Sequence, residues 1–156
     1  MISRRLTLGG LVTLFATPLG ATTRPAVTVH RSPACGCCGA WAGHLRKAGF
    51  PVTMINESDL APVKLRAGVP DSLHSCHTAF IDGYVVEGHV PIEAIDKLLV
   101  ARPAILGIAV ANMPGGSPGM ESPGMEPEPF KVIAFAKGGG QDVFLDYPRG
   151  YSPPRG

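Results

Sequence analysis

Apolar and polar residues alternate over Ala26-Val27-Thr28-Val29-His30, the period-two signature of a strand, and the run leads straight into Cys35-Gly36-Cys37-Cys38. Beyond Gly39 the period lengthens. Trp41 and Leu45 fall one turn apart, which predicts a helix over 40–48 that Gly49 stops. Residues 51–55 read as a second strand, and 58–67 as a short helix with Ser58 as its cap and Gly68 and Pro70 beyond its end. Thr78–Ile81 and Tyr84–Glu87 flank Asp82-Gly83, a pair that favours the type I′ turn of a hairpin. Pro91 then opens a helix through Leu99 that places Ile92, Ile95, Leu98 and Leu99 on one side.

The predicted order is strand, cysteine turn, helix, strand, helix, strand, strand, helix. It defines an α/β chain with a thioredoxin-like domain over 26–103, in which the turn after the first strand presents sulfur at a helix N-terminus. The unpaired N–H groups there favour the thiolate, the form that binds metal and attacks disulfides. Past Arg102-Pro103 the composition changes. Residues 104–129 form a Met/Pro/Gly-rich strap, and Met113 to Pro129 holds too little apolar surface for a core of its own. Within it Ser117-Pro118-Gly119-Met120-Glu121 recurs unchanged as Ser122-Pro123-Gly124-Met125-Glu126. Lys131–Phe135 and Val143–Leu145, separated by Gly138-Gly139-Gly140, make an extra β-hairpin within 130–147 that packs on the domain, and 148–156 reads as a disordered tail.

The N-terminal end is of a different kind. Arg4 and Arg5 precede an uncharged apolar run from Leu6 to Leu19 and a small-residue exit at Gly20-Ala21, which reads as an export signal over 1–21. The run falls short of the roughly 20 apolar residues a bilayer span needs. Ser3-Arg4-Arg5-Leu6 also fits the twin-arginine variety, so the export route stays open. Removing 1–21 takes away two arginines and no acid, leaving 12 basic and 12 acidic residues and a formal charge near zero. Such a balance gives no electrostatic footprint for nucleic acid or for stable association with an anionic membrane. About 135 residues remain, enough for one domain with one core.

Four cysteines in an exported chain usually form two disulfides. Here three of them share one turn, and vicinal Cys37-Cys38 can bond only through a strained ring. A soft metal or redox chemistry is the better expectation. Cys35 and Cys38 have the spacing of a thioredoxin-type redox pair, so a thiol–disulfide oxidoreductase stays open as the alternative function. Cys37 is a competing partner in such exchange, but it suits a cluster in which each thiolate bridges two Cu(I) ions. A structural zinc site fits less well, because zinc sites show separated cysteine pairs. The remaining reading is one structural disulfide with two spectators.

Cys76 lies in Leu73-His74-Ser75-Cys76-His77-Thr78, just before the third strand, where it would face the first three thiols. Strand geometry would send His74 and Cys76 to one face and His77 to the other; a loop would lift that restriction. His77 is a candidate ligand and His74 a weaker one. His89, in Gly88-His89-Val90-Pro91, is another candidate, whereas His30 and His44 read as structural or solvent-facing. Met113, Met120 and Met125 sit on a segment that cannot bury them by its own folding, so thioether ligation of Cu(I) is expected of Met113 and Met120 before Met125.

Together these motifs resemble the CopG-like copper proteins, a family long known only as a domain of unknown function. The resemblance rests on Pro33-Ala34-Cys35-Gly36-Cys37-Cys38-Gly39 with Trp41, Gly68-Val69-Pro70, Leu73 to Ala79, Asp82 to Pro91, Met113-Pro114 and Gly116 to Glu121. It spans about residues 26–147. It implies a thioredoxin-like periplasmic protein of a Gram-negative bacterium connected with copper resistance, whose partners are copper ions and other periplasmic copper-resistance proteins. It also implies a multinuclear Cu(I) centre on Cys35, Cys37, Cys38 and Cys76, completed by nearby methionine and histidine, and redox cycling of copper as a copper-dependent oxidoreductase. The second Ser-Pro-Gly-Met-Glu copy and the tail beyond Pro148 depart from the family pattern.

Overall fold

The computed structural model describes residues 23–152. The expected export signal lies outside the described residues, as does the end of the expected tail. Seven strands form one mixed sheet in the order β2-β1-β3-β4-β5-β6-β7. The elements are β1 Val27–Arg31, α1 Gly36–Lys47, β2 Val52–Asn56, α2 Ala61–Ala67, β3 His77–Ile81, β4 Tyr84–Glu87, α3 Ile92–Ala101, β5 Gly107–Ala109, β6 Phe130–Phe135 and β7 Gln141–Tyr147.

The helical connection through α1 makes β1 and β2 parallel, while β3 runs antiparallel to β1 and β4 antiparallel to β3. Asp82 and Gly83 both take positive φ, 49° and 85°, as the predicted type I′ turn requires. α3 returns the chain to add β5 parallel to β4, and β6 and β7 extend the sheet antiparallel. Val29 and Ala79 from the central strands, Trp41 and Leu45 of α1, and Ile95 and Leu98 of α3 pack in one buried cluster. Trp41 is wholly enclosed, and its Nε1–H donates to Val90 O at 2.9 Å.

The class and the element order through α3 follow the sequence; several boundaries do not. α1 starts at Gly36 rather than near residue 40, so Cys37 and Cys38 lie within its first turn and Cys35 is its cap, accepting from Cys38 N–H at 3.3 Å. Ser58 is not a cap: α2 starts at Ala61, and Asp59 accepts the Ala61 N–H at 2.9 Å. The expected strap begins with a buried strand, β5, whose three residues are too few to show alternation. β7 reaches Gln141 and Tyr147, beyond the expected 143–145, because its polar ends pair with β6. The tail is not free from its start: Tyr151 is buried, with its ring 6.2 Å from that of Tyr147.

Candidate metal and thiol centre

β1 delivers the chain to the start of α1, and the Ser75–Cys76 loop enters β3, which pairs with β1 from Arg31–His77 onward. The two ends of these strands therefore bring their sulfurs together. Cys35 and Cys38 form a disulfide, which spans the C-x-x-C spacing. Cys37 and Cys76 are free thiols. Cys37 Sγ lies 3.4 Å from Cys35 Sγ and 4.0 Å from Cys76 Sγ, and Cys38 Sγ lies 3.5 Å from Cys76 Sγ. All four sulfurs fall within 4.8 Å of one another. Cys38 is completely buried, while the other three are half-buried.

Cys76 joins a second group. Its sulfur is 3.0 Å from His89 Nε2 and 3.3 Å from His77 Nδ1. Both rings are fully enclosed. His77 thus converges with Cys76 despite the alternation of a strand, because Cys76 precedes β3 and is free of its pleat. His89 Nδ1 lies 2.8 Å from the Pro118 carbonyl. A carbonyl only accepts, so Nδ1 carries the proton and the Nε2 lone pair faces Cys76. Burial lowers the His89 pKa against the opposing pull of Pro118 and Glu121, and lowers that of His77 far below its usual value, helped by His89 and Lys64. Cys76 is pushed up to about 12, first by burial and then by Cys37. The resting state is a neutral thiol that donates to a neutral imidazole. His77 Nε2 is a buried nitrogen with no hydrogen-bond partner.

The strap closes over this centre. Ser117 and Pro118 are buried, and a Cβ on Gly119 would stand 2.6 Å from Trp41 N and 2.8 Å from Cys37 O. Gly119 also has φ +88°, so glycine is required there twice over. Glu121 accepts from Gly119 N–H at 2.7 Å and lies 2.9 Å from His44 Nε2. Met120 follows the seated turn and is half-buried. Met113 and Met125 are exposed at 49% and 46%. His74 points away, with Nε2 3.3 Å from Val69 O and 3.5 Å from Asp71. His30 pairs with Glu57 at 2.7 Å, away from the thiols.

Composition and spacing did not reveal the support beneath Cys76. Glu87 is fully buried and accepts from Ser75 N–H at 2.7 Å, from the Thr78 hydroxyl at 2.7 Å and from the Lys64 ammonium, which also reaches Thr78 at 3.1 Å. Burial raises the Glu87 pKa although Lys64 pulls it down. Gly88, at φ +73°, lets the Ser75 side chain and Val110 carbonyl approach where any Cβ would collide. Lys64 lies in α2 and Glu87 at the end of β4, 23 positions apart, and only the fold joins them.

An α/β domain with a polythiol centre at the head of its first helix is thus the class that fold and site define. Two solved structures of copper resistance protein copG, form 1 and form 2, are each 46% identical to this chain over 80% of its length and 98% and 99% of theirs, with TM-scores of 0.75 and 0.76. Residues 73–120 match the family model described as Protein of unknown function, DUF411. No curated protein matches the sequence. The chain belongs to the CopG-like family.

Proposed function

We propose that this chain is an exported periplasmic protein that gathers Cu(I) on the thiolates of Cys35, Cys37, Cys38 and Cys76 and so contributes to copper resistance, alongside other periplasmic copper-resistance proteins. The observation that carries this reading is the packing of four sulfurs within 4.8 Å of one another. Thiolates so close can bridge, and soft sulfur selects Cu(I). The flanking donors fit as well: His89 offers Nε2 and His77 offers Nδ1 toward the same sulfur. Met120 on the seated strap, and Met113 before it, are the thioether completions. Four Cu(I) on four thiolates carry no net charge, which suits a half-buried centre.

In this reading copper is cargo, and the Cys35–Cys38 disulfide must open before all four sulfurs bind. Opening takes two electrons. Two Cu(I) ions can supply them, becoming Cu(II) as the S–S bond becomes two thiolates, which is the copper redox cycle we propose for the same residues. Among the described residues no helix is long and apolar enough to cross a membrane. The test is an anaerobic Cu(I) titration of the reduced chain, and fewer than two Cu(I) bound tightly per chain eliminates the cluster.

A second reading, thiol–disulfide exchange, is favoured by the Cys35–Cys38 disulfide, with free Cys37 3.4 Å from one sulfur and Cys76 3.5 Å from the other. Reversible reduction of a model disulfide by the copper-free chain would support it, and failure of the reduced protein to exchange would remove it.

A further inference from the structure

Two identical five-residue segments, 117–121 and 122–126, follow one another in the strap, yet only the first is seated. Its Ser117 and Pro118 are buried, whereas every residue from Glu121 to Pro129 is exposed. The seat reads three features: the Pro118 carbonyl on His89 Nδ1 at 2.8 Å, Glu121 on His44 Nε2 at 2.9 Å, and the bare backbone of Gly119 against Trp41 and Cys37. Five positions on, Pro123, Glu126 and Gly124 repeat all three.

The exposed copy already has the shape the seat requires. Met120 N–H donates to Ser117 O at 2.7 Å, and Met125 N–H donates to Ser122 O at 3.1 Å. Gly119 and Gly124 sit at φ +88° and +77°. Both copies are Ser-Pro-Gly-Met turns with proline at the second and glycine at the third position, the signature of a type II turn.

Chain connectivity lets the copies trade places. Residues 117–126 join two points that touch: a Cβ on Gly116 would lie 2.8 Å from Pro127 Cα, and Glu128 N–H donates to Gly115 O at 2.9 Å. The seated copy also starts and ends at one place, since Gly116 N–H donates to Met120 O at 3.1 Å. At present the second copy is the excursion that links the seat's exit to Pro127. Moved to the entry side, the excursion would run from Gly116 to the seat, and the exit would join Pro127 directly.

We infer that the second copy is an alternate occupant of the first copy's seat. The strap exchanges between a register with Pro118, Gly119 and Glu121 on His89, Trp41 and His44 and one with Pro123, Gly124 and Glu126 there, carrying Met125 to where Met120 now stands. The three seat contacts recur in the second register, whereas the Ser117 N–H and hydroxyl bonds to Pro114 O, at 3.1 and 2.7 Å, belong to the first alone and favour it; each exchange lifts the strap off Cys37 and His89.

The test uses copper-free full chain and the hydrogen-exchange protection of the His89 Nδ1 proton, followed by nitrogen-15 NMR, so it is independent of copper binding. Gly124→Ala should leave protection unchanged. Gly119→Ala should retain most of it, because Gly124 takes the seat, and Gly119→Ala/Gly124→Ala should lower it by about tenfold or more, the cost of a left-handed alanine in the seat. Equal losses in Gly119→Ala and the double variant overturn the exchange, as does full protection in the double variant. Deleting 122–126 gives the same chain as deleting 117–121, and this variant should keep the proton protected; loss of protection there overturns the direct junction to Pro127 on which the second register depends.

Discussion

His89 holds the sulfur of Cys76 at 3.0 Å through Nε2 while its Nδ1 proton is tied to the strap at Pro118. One imidazole thus joins the thiol centre to its cover and has its tautomer fixed by that cover, as the outer hydrogen bond of a metal-binding histidine commonly does. Replacing His89 by Ala removes both links. Cu(I) affinity of the reduced protein, measured against a chelator, should fall by about 10–100-fold with the sheet intact by circular dichroism. Unchanged affinity would leave His89 a purely structural residue.

At Cys76 copper must displace a proton. With its pKa pushed up to about 12 by burial and by Cys37, Cys76 is a thiol at neutral pH. Copper loading must therefore expel its proton. Calorimetric titration of the reduced chain with Cu(I) at pH 7, in buffers of different ionisation enthalpy, should show release of at least one proton per chain. In Cys76→Ser that release should shrink together with the amount of copper bound.

Cys37 separates the two proposed chemistries. It is the sulfur that a dithiol exchange does not need, yet it lies 3.4 Å from Cys35 and 4.0 Å from Cys76. Cys37→Ser should keep a reversible Cys35–Cys38 disulfide, seen by mass spectrometry before and after reduction, and lose copper per chain in the reduced state. Full copper loading of this variant would argue against a shared cluster.

Much of this centre is legible in the amino-acid order because its sulfurs cluster in sequence. Cys35, Cys37 and Cys38 fall in one turn, and the strand–helix–strand reading around them fixes where Cys76 must return. Lys64 and Glu87 were invisible, since a charge inside a short amphipathic helix and another at a hairpin end both look solvent-facing until the sheet encloses them. β5 was missed because Gly107-Ile108-Ala109 has no period to read. Ser58 misled because a capping residue type identifies a helix start only when the backbone turns there, and Asp59 and Pro62 set the start three residues later. The seating of the first repeat depends on the bare backbone of Gly119, and composition cannot distinguish that from a flexible linker.

The Lys64–Glu87 pair anchors the Cys76 loop through the Ser75 N–H. Lys64→Met leaves a buried carboxyl without its cation and should destabilise the fold by about 3–5 kcal/mol in urea denaturation. Lys64→Met/Glu87→Gln should recover part of that loss, since the uncompensated charge goes with the carboxylate. If the double variant is no more stable than Lys64→Met, the pair is not the source of the cost.

Acidification should unfold this protein through its two enclosed histidines. Their folded pKa values lie below the usual 6.5, so as pH falls through 6.5 the unfolded chain takes up protons that the native chain refuses. Their stabilising effect is fully present above 6.5 and is lost as pH falls toward the depressed native values. Each contributes a slope of up to about 1.4 kcal/mol per pH unit. Glu87 acts in the opposite sense: its raised native pKa means that its contribution is present below the ordinary carboxyl value of 4.5 and fades as pH rises through the folded one. Two histidines outweigh one carboxyl, so stability should still climb with pH between about 5 and 6.5. Urea denaturation of the copper-free, disulfide-bonded chain across that range checks the sign, and His77→Phe should flatten the profile by about half. A profile that falls with rising pH, unchanged in His77→Phe, would mean that the enclosed histidines do not set the pH dependence.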